Sequence, residues 1–170
     1  MKRVFFTILF FSSILRAVEV GEVLKPTVLD GKDGGRVDGG AWSSESLKGK
    51  VHVIFYVDPD KKDLNEDFAD RLKSENFDHS KFGSVAIANL AATWKPDIII
   101  EAILKHKQKK FPQALYLKDK RKFFVKSWGM RDDDYDILIV DQNNRVIFKK
   151  EGGLKKEEIN EAIKLIKSKI

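Results

Sequence analysis

The charged residues best placed to do chemistry follow one strongly apolar run. The run extends from Val51 to Val57, and the charged residues directly after it are Asp58, Asp60, Lys61, Lys62 and Asp63. A carboxylate at the end of a buried strand can attack a phosphoryl group, and a second one can manage the proton of the leaving group. Carboxylates also bind Mg²⁺ and Ca²⁺. Phosphoryl transfer, cation binding and a structural role are therefore the first possibilities.

A phosphatase is the most specific catalytic interpretation of this loop. Four apolar residues followed by Asp58-Pro59-Asp60 resemble the nucleophile motif of haloacid dehalogenase phosphatases, and Asp132-Asp133-Asp134 offers carboxylates for magnesium. The threonine expected further along that motif is replaced by Lys62, and the acidic triplet follows Trp128-Gly129-Met130 instead of an apolar strand. A magnesium-dependent phosphatase that uses Asp58 and Asp60 is kept as the alternative function.

Local structure can explain the same acids without catalysis. Asp63 followed three residues later by Glu66 matches a helix capping box. A calcium loop beginning at Asp58 would need glycine in its sixth position and glutamate in its twelfth, where the chain has Asp63 and Ala69. We therefore predict no metal site and no cofactor. A binding surface that includes Trp94, in the loop before Lys95-Pro96, remains as a further interpretation.

The first 17 residues have the layout of a secretory signal peptide. A basic start, Met1-Lys2-Arg3, precedes an apolar run from Val4 to Leu15 and a small residue, Ala17. Residues 1–17 are predicted to direct export to the periplasm and to be the chain's only contact with a membrane. The 170-residue chain has no cysteine, so a hydrophobic core must stabilise the exported protein.

Charge argues against a nucleic-acid partner. Removing residues 1–17 takes away three basic residues and no acid, so the net charge falls from +6 to +3. The densest basic stretch, Lys105 to Lys110, is typical of a solvated helix end, where lysines favour the helix dipole. It could also bind phosphate or anionic lipid. We expect no nucleic-acid binding from an exported chain of this modest charge.

Hydrophobic periodicity predicts alternating strands and helices. The apolar residues alternate on both faces of residues 51–57, which is typical of a central strand. Further strands are predicted at 85–88, 114–117, 136–140 and 146–148, with a tight turn at Asn143-Asn144. Helices are predicted over 64–77, after Pro96 with an apolar stripe, at 123–128 as a turn, and after Gly152-Gly153. The helix stripe after Pro96 consists of Ile99, Ile100, Ile103 and Leu104.

This order of elements resembles thioredoxin-fold proteins of the peroxiredoxin and TlpA-like branch, and among them the YtfJ-like family of bacterial periplasmic proteins. The matching pieces are Leu47-Lys48-Gly49-Lys50-Val51, Asn89 at a strand end, Lys109-Lys110-Phe111-Pro112, Trp128 and the final hairpin and helix. The resemblance implies an α/β fold over residues 18–170. It would be a thioredoxin-like three-layer sandwich with a central mixed β-sheet, preceded by an N-terminal β-hairpin extension.

The same resemblance assigns a position to the acidic loop. Asp60 and Asp63 fall where a thioredoxin-like enzyme carries its two cysteines, and Asp134-Tyr135-Asp136 replaces the usual cis-proline. Thiol exchange requires a thiolate, so thiol redox activity is excluded. The resemblance implies no settled catalytic residue. The predicted function is a binding or accessory module whose partner is a periplasmic protein or a small ligand. Its candidate binding residues are Asp58, Asp60, Lys61, Lys62, Asp63, Asn89 and Trp94.

Overall fold

A computed structural model describes residues 16–170 of the chain. The predicted signal peptide, residues 1–17, therefore lies almost wholly outside the described residues. Two short strands, β1 (Val28–Leu29) and β3 (Trp42–Ser43), form an antiparallel pair near the amino terminus. This pair is the predicted N-terminal extension. The segment between its strands adds β2 (Gly34–Arg36) to the main sheet, antiparallel to the strand beside it.

The main sheet is mixed and has six strands in the order β2-β6-β5-β4-β7-β8. Its remaining strands are β4 (Val51–Val57), β5 (Phe82–Asn89), β6 (Ala114–Asp119), β7 (Tyr135–Val140) and β8 (Val146–Glu151). Strands β4, β5 and β6 are parallel, while β7 and β8 pair antiparallel at one side. The predicted turn between β7 and β8 is present, and Asn144 has a φ of 61° there.

Helices cover both faces of this sheet. Helices α1 (Glu66–Ser74) and α4 (Lys156–Lys167) pack on the face that carries Val53 and Phe55, and α2 (Asp97–Lys110) packs on Ala88 and Tyr116 of the same face. Helix α3 (Phe123–Trp128) covers the opposite face, which carries Ile54 and Tyr56. The result is a thioredoxin-like three-layer sandwich, as the sequence predicts.

Strand β4 lies in the middle of the sheet and is buried on both faces. Six of its seven residues are buried, and only Val57 at its end is partly exposed. Phe55 packs edge-on against Phe68 of α1 and Tyr135 of β7, with ring centroids 5.9 and 6.1 Å away. The prediction of a central strand is confirmed. Trp128 is also in the core, and its ring packs against Trp42 and Phe124.

The predicted capping box at α1 is wrong. The helix begins at Glu66 after Asn65, and the Asp63 side chain is exposed and bonded to Lys62. Asn65 makes no cap either, because its amide donates to the Gly152 carbonyl and its Oδ1 accepts the Leu154 N–H. Contacts with the connection from β8 to α4 therefore decide where this helix starts.

The apolar stripe predicted for α2 is only half buried. Ile100 and Leu104 face the sheet, whereas Ile99 and Ile103 are exposed. The buried pair is four residues apart, so a single row of side chains makes the contact with the sheet. The other isoleucines lie on the outer side of the helix.

Truncation of Phe55 tests the central position of β4. Phe55→Ala should lower the free energy of unfolding by about 3–5 kcal/mol, because it removes a buried ring and leaves a cavity beside Phe68. Chemical denaturation monitored by circular dichroism measures this change. Trp94→Ala is the matched control, since Trp94 is 85% exposed and its loss should change stability by under about 0.5 kcal/mol. Equal losses of unfolding free energy in the two variants would contradict the fold assignment.

Candidate functional site

Polar side chains meet at the carboxyl edge of the parallel strands. Asp58 follows β4, Asn89 ends β5 and Asp119 ends β6. Asp136 enters from β7, where it pairs with Tyr56, while Asn89 pairs with Asp119. The alternation of side chains places Tyr56, Asp136, Asn89 and Asp119 on the face that α3 covers. All of these residues are buried.

Asp119 binds the first turn of α3 to the sheet. Its carboxylate accepts hydrogen bonds from the backbone N–H groups of Arg121, Phe123 and Phe124 at 3.1, 2.8 and 3.0 Å. It also accepts the hydroxyl of Tyr56 at 3.1 Å. Burial, together with the nearby carboxylate, raises the pKa of Tyr56 far above its usual range. Tyr56 is therefore a neutral donor within this network.

Asn89 connects the edge to a second carboxylate. Its Nδ2 donates to Asp132 Oδ1 at 3.0 Å, and Lys122 Nζ pairs with the other oxygen of Asp132. Burial opposes the charge on Asp132, but the bonds from Lys122 and Asn89 outweigh it and lower the pKa of Asp132. The Oδ1 of Asn89 is buried and has no hydrogen-bond partner among the described residues.

Asp136 is the least satisfied carboxylate of the edge. Its Oδ2 accepts the Arg131 N–H at 2.6 Å, while its buried Oδ1 has no partner in residues 16–170. Burial raises the pKa of Asp136 to about 6. A carboxylate with one unpaired oxygen is easier to bury in its protonated form.

The acidic loop packs on the start of β7. The Asp58 N–H donates to the Asp134 carbonyl at 2.9 Å, and the Asp58 Oδ1 accepts the Asp60 N–H at 2.8 Å. Asp58 thus caps the short 3-10 turn Pro59–Lys61. Lys61 pairs with the Asp134 carboxylate at 3.3 Å. The carboxylate of Asp58 is buried in a local structural role.

Asp60 lies at the solvent edge beside the loop that carries Trp94. Its oxygens accept the Thr93 hydroxyl, at 2.8 Å, and the Lys95 ammonium. These two donors lower the pKa of Asp60. Between the donors, the Trp94 side chain is exposed. Lys62 and Asp63 pair with each other in solvent and make no side-chain contact with this group.

The structure thus brings together some of the predicted binding residues. Asp58, Asp60 and Lys61 lie in one loop next to Trp94, and Asn89 belongs to the buried network beneath the edge. Other members of the edge are not among the binding residues predicted from the sequence, although a carboxylate inside an apolar strand, as at Asp136, is a usable signal. These further members are Tyr56, Asp119, Asp136 and Asp132, the last considered only as a magnesium ligand of the phosphatase alternative.

The phosphatase alternative finds no support in this geometry. Asp58 caps a turn, Asp132 is held by Asn89 and Lys122, and Asp134 is held by Lys61. Within residues 16–170, no three histidine, aspartate or glutamate side chains are arranged to hold a metal ion. The sheet order is also that of a thioredoxin-like fold.

Comparison with known proteins agrees with this architecture. Residues 28–169 match the family described as "Bacterial protein of unknown function (YtfJ_HI0045)". An uncharacterized protein of Haemophilus influenzae is 26% identical over 155 residues, which covers 89% of this chain and 80% of that protein.

Solved structures share the fold at low sequence identity. The thiol peroxidase of Chromobacterium violaceum aligns with a TM-score of 0.62 at 13% identity over 91% of this chain and 90% of that one. ScoI of Bradyrhizobium japonicum, solved with copper bound, aligns with a TM-score of 0.57 at 20% identity over 88% of this chain and 100% of that one. None of the helices formed by residues 16–170 is both long and apolar enough to cross a membrane.

Removal of the Asp119 carboxylate tests the buried network. Asp119→Ala should lower the free energy of unfolding by about 2–4 kcal/mol, because three backbone N–H groups and the Tyr56 hydroxyl lose their acceptor. Asp70→Ala, on the exposed side of α1, should cost under about 0.5 kcal/mol. Urea denaturation of both variants provides the comparison, and a loss under about 1 kcal/mol at Asp119 would contradict the network.

Asp136 should make stability depend on pH. Its raised pKa means that the folded state binds a proton more tightly than the unfolded chain, so its contribution to stability is lost as pH rises from about 4 to about 6. Asp136→Asn should therefore resemble the wild type near pH 4 and exceed its unfolding free energy by about 1–2 kcal/mol near pH 8. Denaturation curves at both pH values measure the difference, and an equal effect at both would contradict this assignment.

Proposed function

The chain belongs to the YtfJ family of bacterial proteins, and we propose that it is an exported binding or accessory module of the periplasm. In this proposal the thioredoxin-like sheet edge holds a partner instead of exchanging disulfides. The partner is a periplasmic protein or a small ligand. The domain that binds it comprises residues 18–170, after removal of the segment 1–17.

One observation carries this proposal. The chain has a thioredoxin-like sheet but no cysteine, and Asp60 lies in the loop after β4 where a thiol would be expected. A carboxylate cannot form the mixed disulfide through which thiol exchange proceeds. The Asp60 charge is already paired with Lys95 and Thr93. The edge therefore offers polar recognition without a reactive sulfur.

The exposed part of the edge has features that suit recognition. The Asp60–Lys95 pair is only partly shielded from solvent, so a partner can replace this pair at little energetic cost. Trp94 offers a large apolar surface with one donor. Asp58 and Asn89 contribute indirectly, because Asp58 shapes the turn that carries Asp60 and Asn89 belongs to the layer below.

The segment before Val18 supports export, and the contacts of Val18 are compatible with cleavage after Ala17. The segment before Val18 has the basic start and apolar run of a signal peptide. Val18 itself is buried, and its N–H donates to the Trp128 carbonyl at 2.9 Å. A chain that begins at Val18 therefore keeps its first residue attached to the folded domain. Two large apolar clusters provide stability without disulfides.

Site-directed photocrosslinking in the host bacterium tests the proposed binding edge. A photoreactive phenylalanine analogue at position 94 should give a discrete crosslinked product in the periplasmic fraction. The same analogue at position 164 should give none, because this exposed position lies near the end of α4 where Lys167 pairs with Glu75, beyond the carboxyl end of α1. Mass spectrometry identifies the product and the amino terminus of the mature chain.

Charge reversal provides the specificity control. Asp60→Lys places two cations side by side at the edge and should reduce the crosslinked product at least about fivefold, while leaving the unfolding transition close to the wild type. Identical products from positions 94 and 164, or a product unaffected by Asp60→Lys, would contradict binding at this edge.

A further inference from the structure

The outer side of α2 and the loop before it expose a group of large apolar side chains. Trp94, Ile98, Ile99 and Ile103 are 85%, 78%, 50% and 46% exposed, and we refer to these four residues as the α2 ridge. Ile99 and Ile103 are one helical turn apart, so their side chains are neighbours. Single exposed apolar residues are ordinary on a protein surface, but a contiguous group marks an interaction surface.

The carboxyl-terminal half of the same helix is strongly basic. The exposed basic residues of its last two turns are Lys105, His106, Lys107, Lys109 and Lys110. Within residues 16–170, none of these lysines forms an ion pair with an acidic side chain, and the segment 1–15 contains no acid. A cluster of unpaired lysines attracts anions.

The acids of α2 do not offset this charge, because they face other lysines. Glu101 pairs with Lys118 at 3.0 Å and with Lys120 at 2.8 Å, and these lysines lower the pKa of Glu101. The Asp97 Oδ2 lies 3.8 Å from the Lys120 Nζ. From Ile98 to Lys110, the outer side of the helix is therefore apolar at one end and positive at the other.

The sequence predicts residues 1–17 as the only contact with a membrane; going beyond that prediction, we propose that α2 docks on the surface of a membrane that contains anionic phospholipid. The α2 ridge would enter the boundary between headgroups and acyl chains, and the lysines would contact the phosphates. Helices that lie in this boundary combine lysines with Trp and aliphatic residues. In α2 the two groups lie at opposite ends of the outer side, because the inner side is packed on the sheet. Tryptophan favours the same depth. Each lysine near an anionic surface adds further attraction.

Charge complementarity favours a membrane over a second copy of the chain. A symmetric dimer through the α2 ridge would bring two sets of unpaired lysines into one interface, with no free acid of α2 to offset them. In a parallel pair like charges would face each other, and in an antiparallel pair the lysines of one copy would face the apolar end of the other; both arrangements oppose association. An anionic bilayer surface supplies negative charge along the whole length of the helix.

Tryptophan emission provides a specific readout. Trp42 and Trp128 are buried, so a change on vesicle binding reports on the exposed Trp94. The full chain is mixed with vesicles of equal parts phosphatidylglycerol and phosphatidylcholine, or of phosphatidylcholine alone. We expect a blue shift and co-sedimentation with the anionic vesicles, both reduced by salt, and no blue shift with the neutral ones. Trp94→Phe should abolish the shift.

Two double variants distinguish the contribution of the α2 lysines from that of the overall positive charge of the chain. Lys105→Gln with Lys109→Gln should weaken the vesicle affinity measured from the Trp94 shift by more than about tenfold. Lys156→Gln with Lys164→Gln, the same charge change on exposed positions of α4, should leave it within about twofold. Ile98→Asp should also abolish the blue shift without unfolding the protein, since Ile98 lies outside the core.

Three outcomes would overturn the inference. The first is Trp94 emission that does not move with anionic vesicles, even if the chain co-sediments through its amino-terminal segment. The second is an equal loss of affinity in both lysine variants. The third combines a protein crosslinked to position 94 with Trp94 emission that anionic vesicles do not change. This result would assign the α2 ridge to a protein partner, and it would leave the proposed function intact.

Discussion

Burial of β4 on both faces is the constraint on which the rest of this structure depends. A strand that is apolar on both sides cannot lie at the edge of a sheet, so β5 and β7 must flank it and helices must cover both faces. Because β4 is buried on both faces, its adjacent residues Phe55 and Tyr56 pack into opposite layers. Phe55 packs among the rings of Phe68 and Tyr135, while Tyr56 faces the opposite layer and bonds to Asp119. The position of the loop after β4 follows from this arrangement.

The same constraint explains why the carboxyl edge is rich in internal hydrogen bonds. Polar side chains that end central strands are buried by the neighbouring elements, and a buried polar group is costly unless it has a partner. Asp119 meets this demand by binding the first turn of α3, and Asp58 by capping the turn after β4. Asp136 meets it only in part, and its raised pKa is the result. The polar layer is therefore chiefly structural, and the accessible chemistry lies above it at Asp60 and Trp94.

Sequence patterns predicted those elements whose neighbours are close in the chain or whose pattern is strong. The apolar alternation of β4, the turn at Asn144 and the apolar face of α4 are local signals, and each element is present. The capping box at Asp63 failed because Asn65 has partners at Gly152 and Leu154, almost ninety residues away. The network of Tyr56, Asp119 and Asp136 depends on strand register. Register between distant strands cannot be obtained from local spacing.

The start of α1 at Glu66 changes what a side chain in the loop after β4 can do. A reactive cysteine gains much of its thiolate character from the amino terminus of a helix or from a nearby cation. Here α1 begins only at Glu66, while Asp60 lies in a separate 3-10 turn and obtains its stabilising cation from Lys95. A carboxylate is ionised at neutral pH without such help, so the pairing with Lys95 fixes its geometry rather than activating it. In the proposed function, this fixed charge at the edge would serve recognition by charge and shape.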